Sequence, residues 1–251
     1  DAHMRGRLIA KQSGIVAGLG VARSVFKFLD DSVQFDTLVQ DGAAVSQGMA
    51  LAMVAGPARV LLTGERVALN FLGRMSGIAT LTRQFVDEVM GTKAIILDTR
   101  KTAPGLRTVD KLAVRLGGGQ NHRAGLFDMI LIKDNHLAAL RHLSDPIGTA
   151  IRQARLAAPG LLIEIEVDSI DQLDAALPHE PDFILLDNMT PDQLRECVRR
   201  RNQAAVRTLL EASGGITLET IRAVAETGVD RISVGAVTHS ARAVDIALDF
   251  A

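Results

Sequence analysis

From residue 94 onward, short apolar runs alternate with segments of helical spacing, and each run ends in polar or glycine residues. This alternation predicts parallel strands with crossover helices, in a sheet buried on both faces. The helical spacing is clearest over 168–177 and 218–227. The six apolar runs are Ala94–Leu97, Met129–Ile132, Leu161–Ile165, Phe183–Leu186, Thr208–Leu210 and Ile232–Val234.

Polar residues follow all six runs, and this distribution distinguishes two parallel architectures. A doubly wound sheet binds its ligand at one switch point, whereas a (β/α) barrel presents functional groups at the carboxyl ends of many strands. The pattern therefore favours a barrel. Six strands in place of eight predict an incomplete one.

The first sixty residues are β-rich, with turn signals such as Asp41-Gly42 and one helical stretch over 21–29. A long helix is predicted to follow, with Thr63 as its N-cap. Gly73 and Gly77, four residues apart on this helix, predict close backbone packing. We predict an α/β fold with a small amino-terminal sandwich-like domain and an incomplete (β/α) barrel that carries the active site. The predicted bounds are 1–66, joined by 240–251, for the first domain and 67–239 for the barrel.

Composition narrows the function classes. The 251 residues are 47% hydrophobic and 23% charged, which is ordinary for a globular protein, and the net charge of -1 suggests neither a nucleic-acid binder nor a membrane-surface protein. The single cysteine excludes an intrachain disulfide and a cysteine-based zinc cluster. No apolar run is long enough to span a membrane, and no secretory signal is present, so we expect a cytoplasmic protein. The start Asp1-Ala2-His3-Met4 does not resemble a natural start, so we expect either that native residues are missing or that foreign residues precede Met4.

Basic residues are concentrated in one stretch, 98–136, with seven Lys or Arg against four acids. Arg100, Lys101 and Lys133 follow predicted strands, where a barrel has its site. Several cations in one place predict a multiply anionic ligand, either a carboxylate or a phosphate. Solvated surface charge is the alternative explanation for any one of them.

Two acids, Glu166 and Asp187, end consecutive strands, so their carboxylates are predicted to face the same mouth. Paired carboxylates beside phosphates favour Mg²⁺. Glu164 points to the same side as Glu166, because strand side chains alternate with a period of two. It would lie deeper in the barrel and need a cationic partner such as Lys101, and a structural ion pair is the favoured explanation for it.

Three glycine segments lie near these charges. Gly117–Gly119 precedes His122 and Arg123 in a predicted flexible loop. Ser213–Gly215 and Val234–Ala236 follow the last two strands, where barrels often bind phosphate through backbone N–H groups. Turn glycines without any ligand remain the alternative.

Taken together and in order, these strings resemble the quinolinate phosphoribosyltransferase family, from about residue 8 to the end of the chain. The family's amino-terminal helical segment is absent, which again predicts missing native residues. The matching strings are Leu62-Thr63-Gly64-Glu65-Arg66, Ser76-Gly77-Ile78-Ala79-Thr80, Asp98-Thr99-Arg100-Lys101-Thr102, Pro104-Gly105-Leu106-Arg107, Asn121-His122-Arg123, Ile132-Lys133-Asp134-Asn135-His136, Glu164-Ile165-Glu166-Val167, Leu185-Leu186-Asp187-Asn188, Ser213-Gly214-Gly215 and Val234-Gly235-Ala236.

The resemblance implies a Mg²⁺-dependent pentosyltransferase of de novo NAD biosynthesis. Quinolinate and 5-phosphoribosyl-1-pyrophosphate would give nicotinate mononucleotide, pyrophosphate and carbon dioxide, in a homodimer with shared active sites or a higher oligomer. Lys101, Glu166 and Asp187 would be catalytic, and Glu166 and Asp187 would hold the ribose hydroxyls and the metal. The remaining implied contacts are Thr99, Arg100, His122, Arg123 and Lys133 for quinolinate, Arg66 for the neighbouring subunit's site, Lys101 for pyrophosphate, and Ser213, Gly214, Gly215, Val234, Gly235, Ala236 and His239 for phosphate.

Three other functions stay open. Nicotinate phosphoribosyltransferase would use a monocarboxylate without decarboxylation, and the molybdenum-transport-linked paralogue would use another substrate. A phosphate-ligand-binding or scaffold protein without activity is the alternative from a different class. The cations suited to two carboxylates favour quinolinate.

Overall fold

The computed structural model describes residues 2–250, so Asp1 and Ala251, the outer ends of the predicted first domain, lie outside the described residues. The strands are β1 His3–Ala10, β2 Gly14–Ile15, β3 Gln34–Thr37, β4 Ala44–Val45, β5 Ala50–Pro57, β6 Ile95–Leu97, β7 Ile130–Ile132, β8 Ile163–Val167, β9 Phe183–Asp187, β10 Leu209–Ser213, β11 Arg231–Ser233 and β12 Ile246–Phe250. The helices are α1 Leu19–Leu29, α2 Ala58–Glu88, α3 Arg107–Leu116, α4 Asp134–Ala139, α5 Pro146–Ala157, α6 Ile170–Ala176, α7 Pro191–Ala204, α8 Leu218–Ala225 and α9 Ala236–His239.

Two compact units make up the chain. The first contains the residues up to Gln84, Lys101–Gly119 and the residues from Ala236 onward, and the second contains Phe85–Arg100 and Gln120–Gly235. The domain division predicted from the sequence, after residue 66, falls inside the continuous helix α2. That division stays a prediction.

The first unit is built on an antiparallel sheet with the order β12-β1-β5-β3. Pairing of β12 with β1 brings the carboxyl-terminal strand beside the amino-terminal one, with Leu8 opposite Leu248. Apolar side chains from the sheet, α1 and α2 form one core, which gains stability by removing apolar surface from water. Its fully buried members include Leu8, Phe26, Leu51, Val54, Leu61 and Leu72.

Helix α2 begins at Ala58, so the prediction that Thr63 is its N-cap is wrong. The Thr63 hydroxyl donates to the Arg59 carbonyl inside the helix, at 2.7 Å, which is a common alternative for threonine. The prediction of close packing at the two glycines is confirmed, since a Cβ at Gly73 would lie 2.9 Å from the Val244 carbonyl and one at Gly77 would collide with the backbone of residue 242. Neither α2 nor any other helix within residues 2–250 is both long and apolar enough to span a membrane.

The second unit contains a parallel six-stranded sheet with the order β6-β11-β10-β9-β8-β7. Most successive strands are joined through helices, which is the predicted alternation of strand and helix. In the described residues the ladder runs from β6 to β7 without closing into a ring. The predicted fold class, a small amino-terminal domain with an incomplete barrel, is therefore confirmed.

Candidate active site

One edge of the parallel sheet gathers most of the predicted site residues of the second unit. Because all six strands run in the same direction, their carboxyl ends lie along this edge. The register of the strands also shows which side chains share a face of the sheet. Glu166 is opposite Leu185, and Leu185 is on the same face as Asp187 because the two are two residues apart, so the two acids share one face. The predicted residues at or just beyond these strand ends are Thr99, Arg100, Lys133, Glu166, Asp187, Ser213, Gly214, Gly215, Val234 and Gly235.

Lys133 and Glu166 form an ion pair at this edge. Lys133 Nζ lies 2.8 Å from Glu166 Oε2, with side chains 45% and 16% exposed. Solvent screens such a pair, so it contributes less than about 1 kcal/mol to folding stability. Lys133 or Glu166 can therefore leave this ion pair and contact a ligand with little loss of folding stability.

Glu166 and Asp187 also line one cavity, of about 550 Å³, in the second unit. The Asp187 carboxylate accepts a hydrogen bond from the Asn188 side chain at 2.7 Å. Asp134 and Asp168 line the same cavity, so its wall is rich in carboxylate oxygen. Oxygen donors of this kind suit a hard divalent cation such as Mg²⁺.

A second group of charges lies deeper, at His122, Glu164, Glu211 and Arg231. His122 Nε2 is 2.9 Å from Glu164 and 3.4 Å from Glu211, and Arg231 Nε is 3.1 Å from Glu211. Neither carboxylate is exposed to solvent. Burial is the largest influence on Glu164 and raises its pKa, against the hydrogen bond from His122. His122 is thus the cationic partner that the sequence requires for Glu164, where the pattern had suggested Lys101.

Both ring nitrogens of His122 are engaged by the chain. While Nε2 faces the two glutamates, Nδ1 accepts the backbone N–H of Arg123 at 2.8 Å. Burial lowers the pKa of His122, but its hydrogen bonds to Glu164 and Glu211 outweigh burial and raise the pKa to about 9. A protonated Nδ1 cannot accept a hydrogen bond, so charging the ring removes the contact with the Arg123 amide. The same three residues His122, Glu164 and Glu211 could geometrically surround a metal ion, but a Nε2–H that donates to Glu164 cannot be a ligand.

Asp98 anchors the segment that carries His122. This carboxylate is fully buried just after β6 and accepts the His122 backbone N–H at 2.8 Å and the Asn121 side chain at 2.6 Å. A bridge between Leu97 and Gln120 adds a backbone tie to the same strand. The segment is therefore held at the sheet edge by several contacts, which predicts a rigid placement of Arg123 that follows it.

Arg123 and Arg100 are near enough for their charges to interact. Burial first, and then the positive charge of Arg100, lower the pKa of the Arg123 guanidinium, while the carboxylates of Glu164 and Asp128 oppose this shift without cancelling it. Placing two cations side by side costs free energy unless an anion offsets it. The pair is therefore suited to a ligand with more than one negative charge.

The Ser213–Gly215 segment has a backbone that requires its glycines. Gly214 and Gly215 have φ values of 94° and 60°, and a Cβ at Gly214 would collide with the Asn188 side chain. The Ser213 carbonyl accepts the Asn188 N–H at 2.9 Å, which fixes the turn. Such turns can direct N–H groups toward an anion.

The predicted residues of the first unit are Arg66, Lys101, Ala236 and His239. Lys101 and His239 line one cavity of about 410 Å³ in that unit. Ala236 begins α9, and Arg66 lies on an exposed face of α2. The roles assigned to these residues, as to those of the second unit, stay predictions.

Sequence reasoning missed Glu211 and Arg231, and gave Asp98 no role. A signal for Glu211 was present: it is an acid within an apolar strand, two residues before Ser213 and therefore on the same face as this predicted ligand-binding residue. Arg231 is opposite Glu211 in the ladder. Arg231 begins a strand of three residues, which is too short for the alternation of polar and apolar positions to predict the face of its side chain.

Comparison with known families covers almost the whole chain. Residues 1–76 match the family model "Quinolinate phosphoribosyl transferase, N-terminal domain", and residues 78–249 match "Quinolinate phosphoribosyl transferase, C-terminal domain". These two matches divide the chain at residue 77, inside α2.

Relatives of known name are also similar. A nicotinate-nucleotide pyrophosphorylase [carboxylating] of Mycobacterium leprae is 50% identical over 97% of this chain and 85% of its own length. A probable enzyme of the same name from Bacillus subtilis is 44% identical over 96% of this chain and 82% of its own. Among solved structures, the nicotinate-nucleotide pyrophosphorylase of Francisella tularensis matches with a TM-score of 0.94 and 36% identity, over 100% of this chain and 87% of that one.

Proposed function

The chain belongs to the quinolinate phosphoribosyltransferase family, and we propose that it transfers phosphoribose from 5-phosphoribosyl-1-pyrophosphate to quinolinate with decarboxylation. The products are nicotinate mononucleotide, pyrophosphate and carbon dioxide. It is thus a pentosyltransferase of de novo NAD biosynthesis.

The neighbouring guanidinium groups of Arg100 and Arg123 carry this proposal. Quinolinate has two carboxylates on adjacent ring carbons, and a pair of half-buried arginines offers charge-assisted, directional hydrogen bonds to both. Lys133 at the same sheet edge can leave Glu166 and add a third positive charge. A monocarboxylate such as nicotinate would leave part of this charge unmatched, which favours quinolinate over nicotinate.

Glu166 and Asp187 would act on the ribose. Departure of pyrophosphate builds positive charge at the ribose carbon that was bonded to it, and fixed carboxylates stabilise that charge in the transition state. They share one face of the sheet and one cavity, so both can face the same sugar. The quinolinate ring nitrogen then forms the new bond to this carbon as the carbon–oxygen bond to pyrophosphate breaks.

We propose Mg²⁺ as the bound cation, with Glu166 and Asp187 as its protein oxygen ligands, because carboxylate oxygens suit a hard divalent cation. When bound, the ion would neutralise charge on the diphosphate. The chain's own donors also offset phosphate charge, and we assign Lys101 to the pyrophosphate, and Ser213–Gly215, Val234–Ala236 and His239 to the 5-phosphate. Positive-φ glycines in the first of these segments favour backbone N–H donation to phosphate.

Decarboxylation follows from the new bond. The ribosylated ring nitrogen is positively charged, and this charge stabilises the electron pair that stays on the neighbouring ring carbon when its carboxylate departs as carbon dioxide. A proton then replaces that carboxylate on the ring carbon. The protein orients the ring and neutralises its second carboxylate, and we assign this to Arg123 and Lys133, with Thr99 and His122 beside them.

Arg66 suggests how subunits would combine. It is exposed on α2, and we propose that it completes the site of a neighbouring subunit in a head-to-tail homodimer. Mixing inactive Arg66→Ala and Lys133→Ala proteins should then restore part of the activity, once subunit exchange is shown. A cytoplasmic location also stays a proposal, since the relative from Oryza sativa is named chloroplastic.

The direct test is product formation. The protein is incubated with quinolinate, 5-phosphoribosyl-1-pyrophosphate and Mg²⁺, and nicotinate mononucleotide is measured by chromatography. We expect product only when both substrates are present, and little after chelation of the metal. No product at high enzyme concentration would refute the activity, and product from nicotinate and the phosphoribosyl donor, but not from quinolinate and the donor, would reassign the substrate.

A further inference from the structure

An ion pair in the first unit is not used by the reaction described above. Arg74 on α2 faces Asp110 on α3 in a bidentate contact, with Nε 2.8 Å from Oδ1 and Nη2 2.7 Å from Oδ2. Asp110 is fully buried, and the Arg74 side chain is 30% exposed. We propose that Arg74 and Asp110 are positioning residues for the phosphoribosyl donor, because they fix the main chain that carries Lys101 and His239. This inference rests on the proposed function and deepens it.

The pair reaches two separate segments of main chain. Asp110 Oδ2 accepts the Ala103 N–H at 3.2 Å, and Arg74 Nη2 donates to the Thr238 carbonyl at 3.3 Å. Thr238 joins the two segments, since its hydroxyl donates to the Lys101 carbonyl at 2.9 Å. The pair and Thr238 therefore tie the backbone beside Lys101 to the backbone beside His239.

These two segments form the wall of one cavity. Its volume is about 410 Å³, and its lining residues are Arg74, Lys101, Thr102, Ala103, Thr238 and His239. A lysine and a histidine on one wall suit the phosphate groups of the donor. Their long or rotatable side chains start from backbone positions that the network sets, so displacing that backbone would displace both side chains from the ligand.

The chemistry of the pair suits positioning better than direct contact. A guanidinium in a two-point contact with a buried carboxylate has a single orientation, and a lysine cannot reproduce that fork. Beyond the ion pair, the hydrogen bonds of Arg74 and Asp110 go to main-chain atoms of the cavity wall. Small errors in the placement of binding groups reduce the rate strongly, so a rigid frame has catalytic value.

A purely structural clamp between two helices is the alternative. The second unit provides a matched control in Arg201, which donates to Asp230 at 2.8 Å and to the Thr208 carbonyl at 3.0 Å, with side chains 9% and 14% exposed in the ion pair. Like Arg74, Arg201 thus contacts one carboxylate and one main-chain carbonyl. We assign it no part in substrate binding.

Arg74→Lys and Thr238→Val test the proposal in the whole enzyme. Arg74→Lys keeps the charge and loses the fork, and Thr238→Val removes the hydroxyl with little change of volume. We expect the KM for 5-phosphoribosyl-1-pyrophosphate to rise about tenfold or more in Arg74→Lys and about threefold in Thr238→Val. The KM for quinolinate should stay within about twofold. Arg201→Lys should lower the thermal unfolding midpoint and leave both KM values within about twofold.

Binding of inorganic pyrophosphate, measured by calorimetry, separates this proposal from the activity itself. We expect about tenfold weaker binding to Arg74→Lys than to the wild type, whether or not quinolinate is turned over. If the wild type makes no nicotinate mononucleotide but Arg74→Lys still binds pyrophosphate more weakly, the proposed function fails and the positioning role stands.

The opposite results would overturn the positioning role. One is a folded Arg74→Lys protein with unchanged KM for the donor and unchanged pyrophosphate affinity. Another is an equal rise of both KM values, which would indicate a general structural loss. If Arg74→Lys does not fold, Thr238→Val decides, and an unchanged donor KM in that variant would then contradict the proposal.

Discussion

Two glutamates of strand β8 share one face of the sheet and have opposite surroundings. Glu164 is fully buried and lies 2.9 Å from His122 in a network with Glu211 and Arg231. Glu166, two residues further along, is 16% exposed and lies 2.8 Å from Lys133. Depth along the strand, and not residue type, thus separates a carboxylate held by the protein from one accessible to a ligand.

The physical cause of this difference is solvation. A buried carboxylate without a partner is costly, so breaking the network at Glu164 should destabilise the fold strongly. At the strand end, water stabilises either charge when the pair opens, so the Glu166 pair can break for a substrate or a cation. Stability should therefore depend on Glu164, and activity on Glu166.

The largest effect is expected for Glu164→Ala. Removing this carboxylate leaves the charge of His122 with Glu211 alone, which it shares with Arg231 in the interior, and we expect a loss of about 3–5 kcal/mol in the free energy of unfolding. Urea denaturation measures it. Glu166→Ala is the matched control on the same strand and face, with an expected change below about 1 kcal/mol. Equal losses would show that depth does not separate the two residues.

Glu166→Gln should affect the reaction more than the fold. Losing a charge aimed at the developing positive ribose should lower kcat by about a hundredfold or more, with an unchanged unfolding free energy. Steady-state kinetics at saturating substrates check this. A variant with nearly full kcat would remove Glu166 from the catalytic group, and Asp192→Asn, on the exposed start of α7, serves as the control that should leave kcat unchanged.

The raised pKa of His122 predicts how stability depends on pH. His122 has a pKa of about 9 in the folded protein against 6.5 for an ordinary histidine, so the folded state holds its proton more tightly. The charged His122 therefore contributes fully to the free energy of unfolding below about pH 6.5. This contribution is lost as the pH rises through about 9, and the free energy of unfolding then decreases by at most about 3 kcal/mol. Denaturation curves of the wild type and His122→Gln across this range measure the difference. Parallel curves would contradict a charged His122 in the folded state.

Arg100→Ala gives the smallest of these effects and tests the ligand end of the site. Removing one charge-assisted hydrogen bond should weaken the binding of quinolinate by about 1.5–3 kcal/mol and should weaken the binding of the phosphoribosyl donor much less. Separate KM measurements for the two substrates show the difference. If both weaken equally, Arg100 does not contact quinolinate selectively.

The strand ends were predictable from sequence, because apolar runs in a parallel sheet end where polar residues begin. This placed Lys133, Glu166 and Asp187 at one edge before any contact was known. The start of α2 was not predictable in this way: Thr63 has the residue type of an N-cap, but its hydroxyl is satisfied within the helix at Arg59.

The buried network was only half visible in the sequence. The period of two placed Glu164 on the same face as Glu166, but the identity of its partner depends on how a distant loop packs. His122 reaches Glu164 because Asp98 and the end of β6 hold the segment 120–123 in place. Contacts between residues so far apart along the chain have no signal in one sequence.

If this site joins phosphoribosyl transfer to decarboxylation, the ratio of carbon dioxide released to nicotinate mononucleotide formed measures that coupling. In one reaction, quinolinate labelled in the carboxylate next to the ring nitrogen reports the carbon dioxide released, and chromatography reports the nucleotide formed. We predict equal amounts of the two products throughout the time course. Nucleotide formed without carbon dioxide, or carbon dioxide released without the phosphoribosyl donor, would contradict the account.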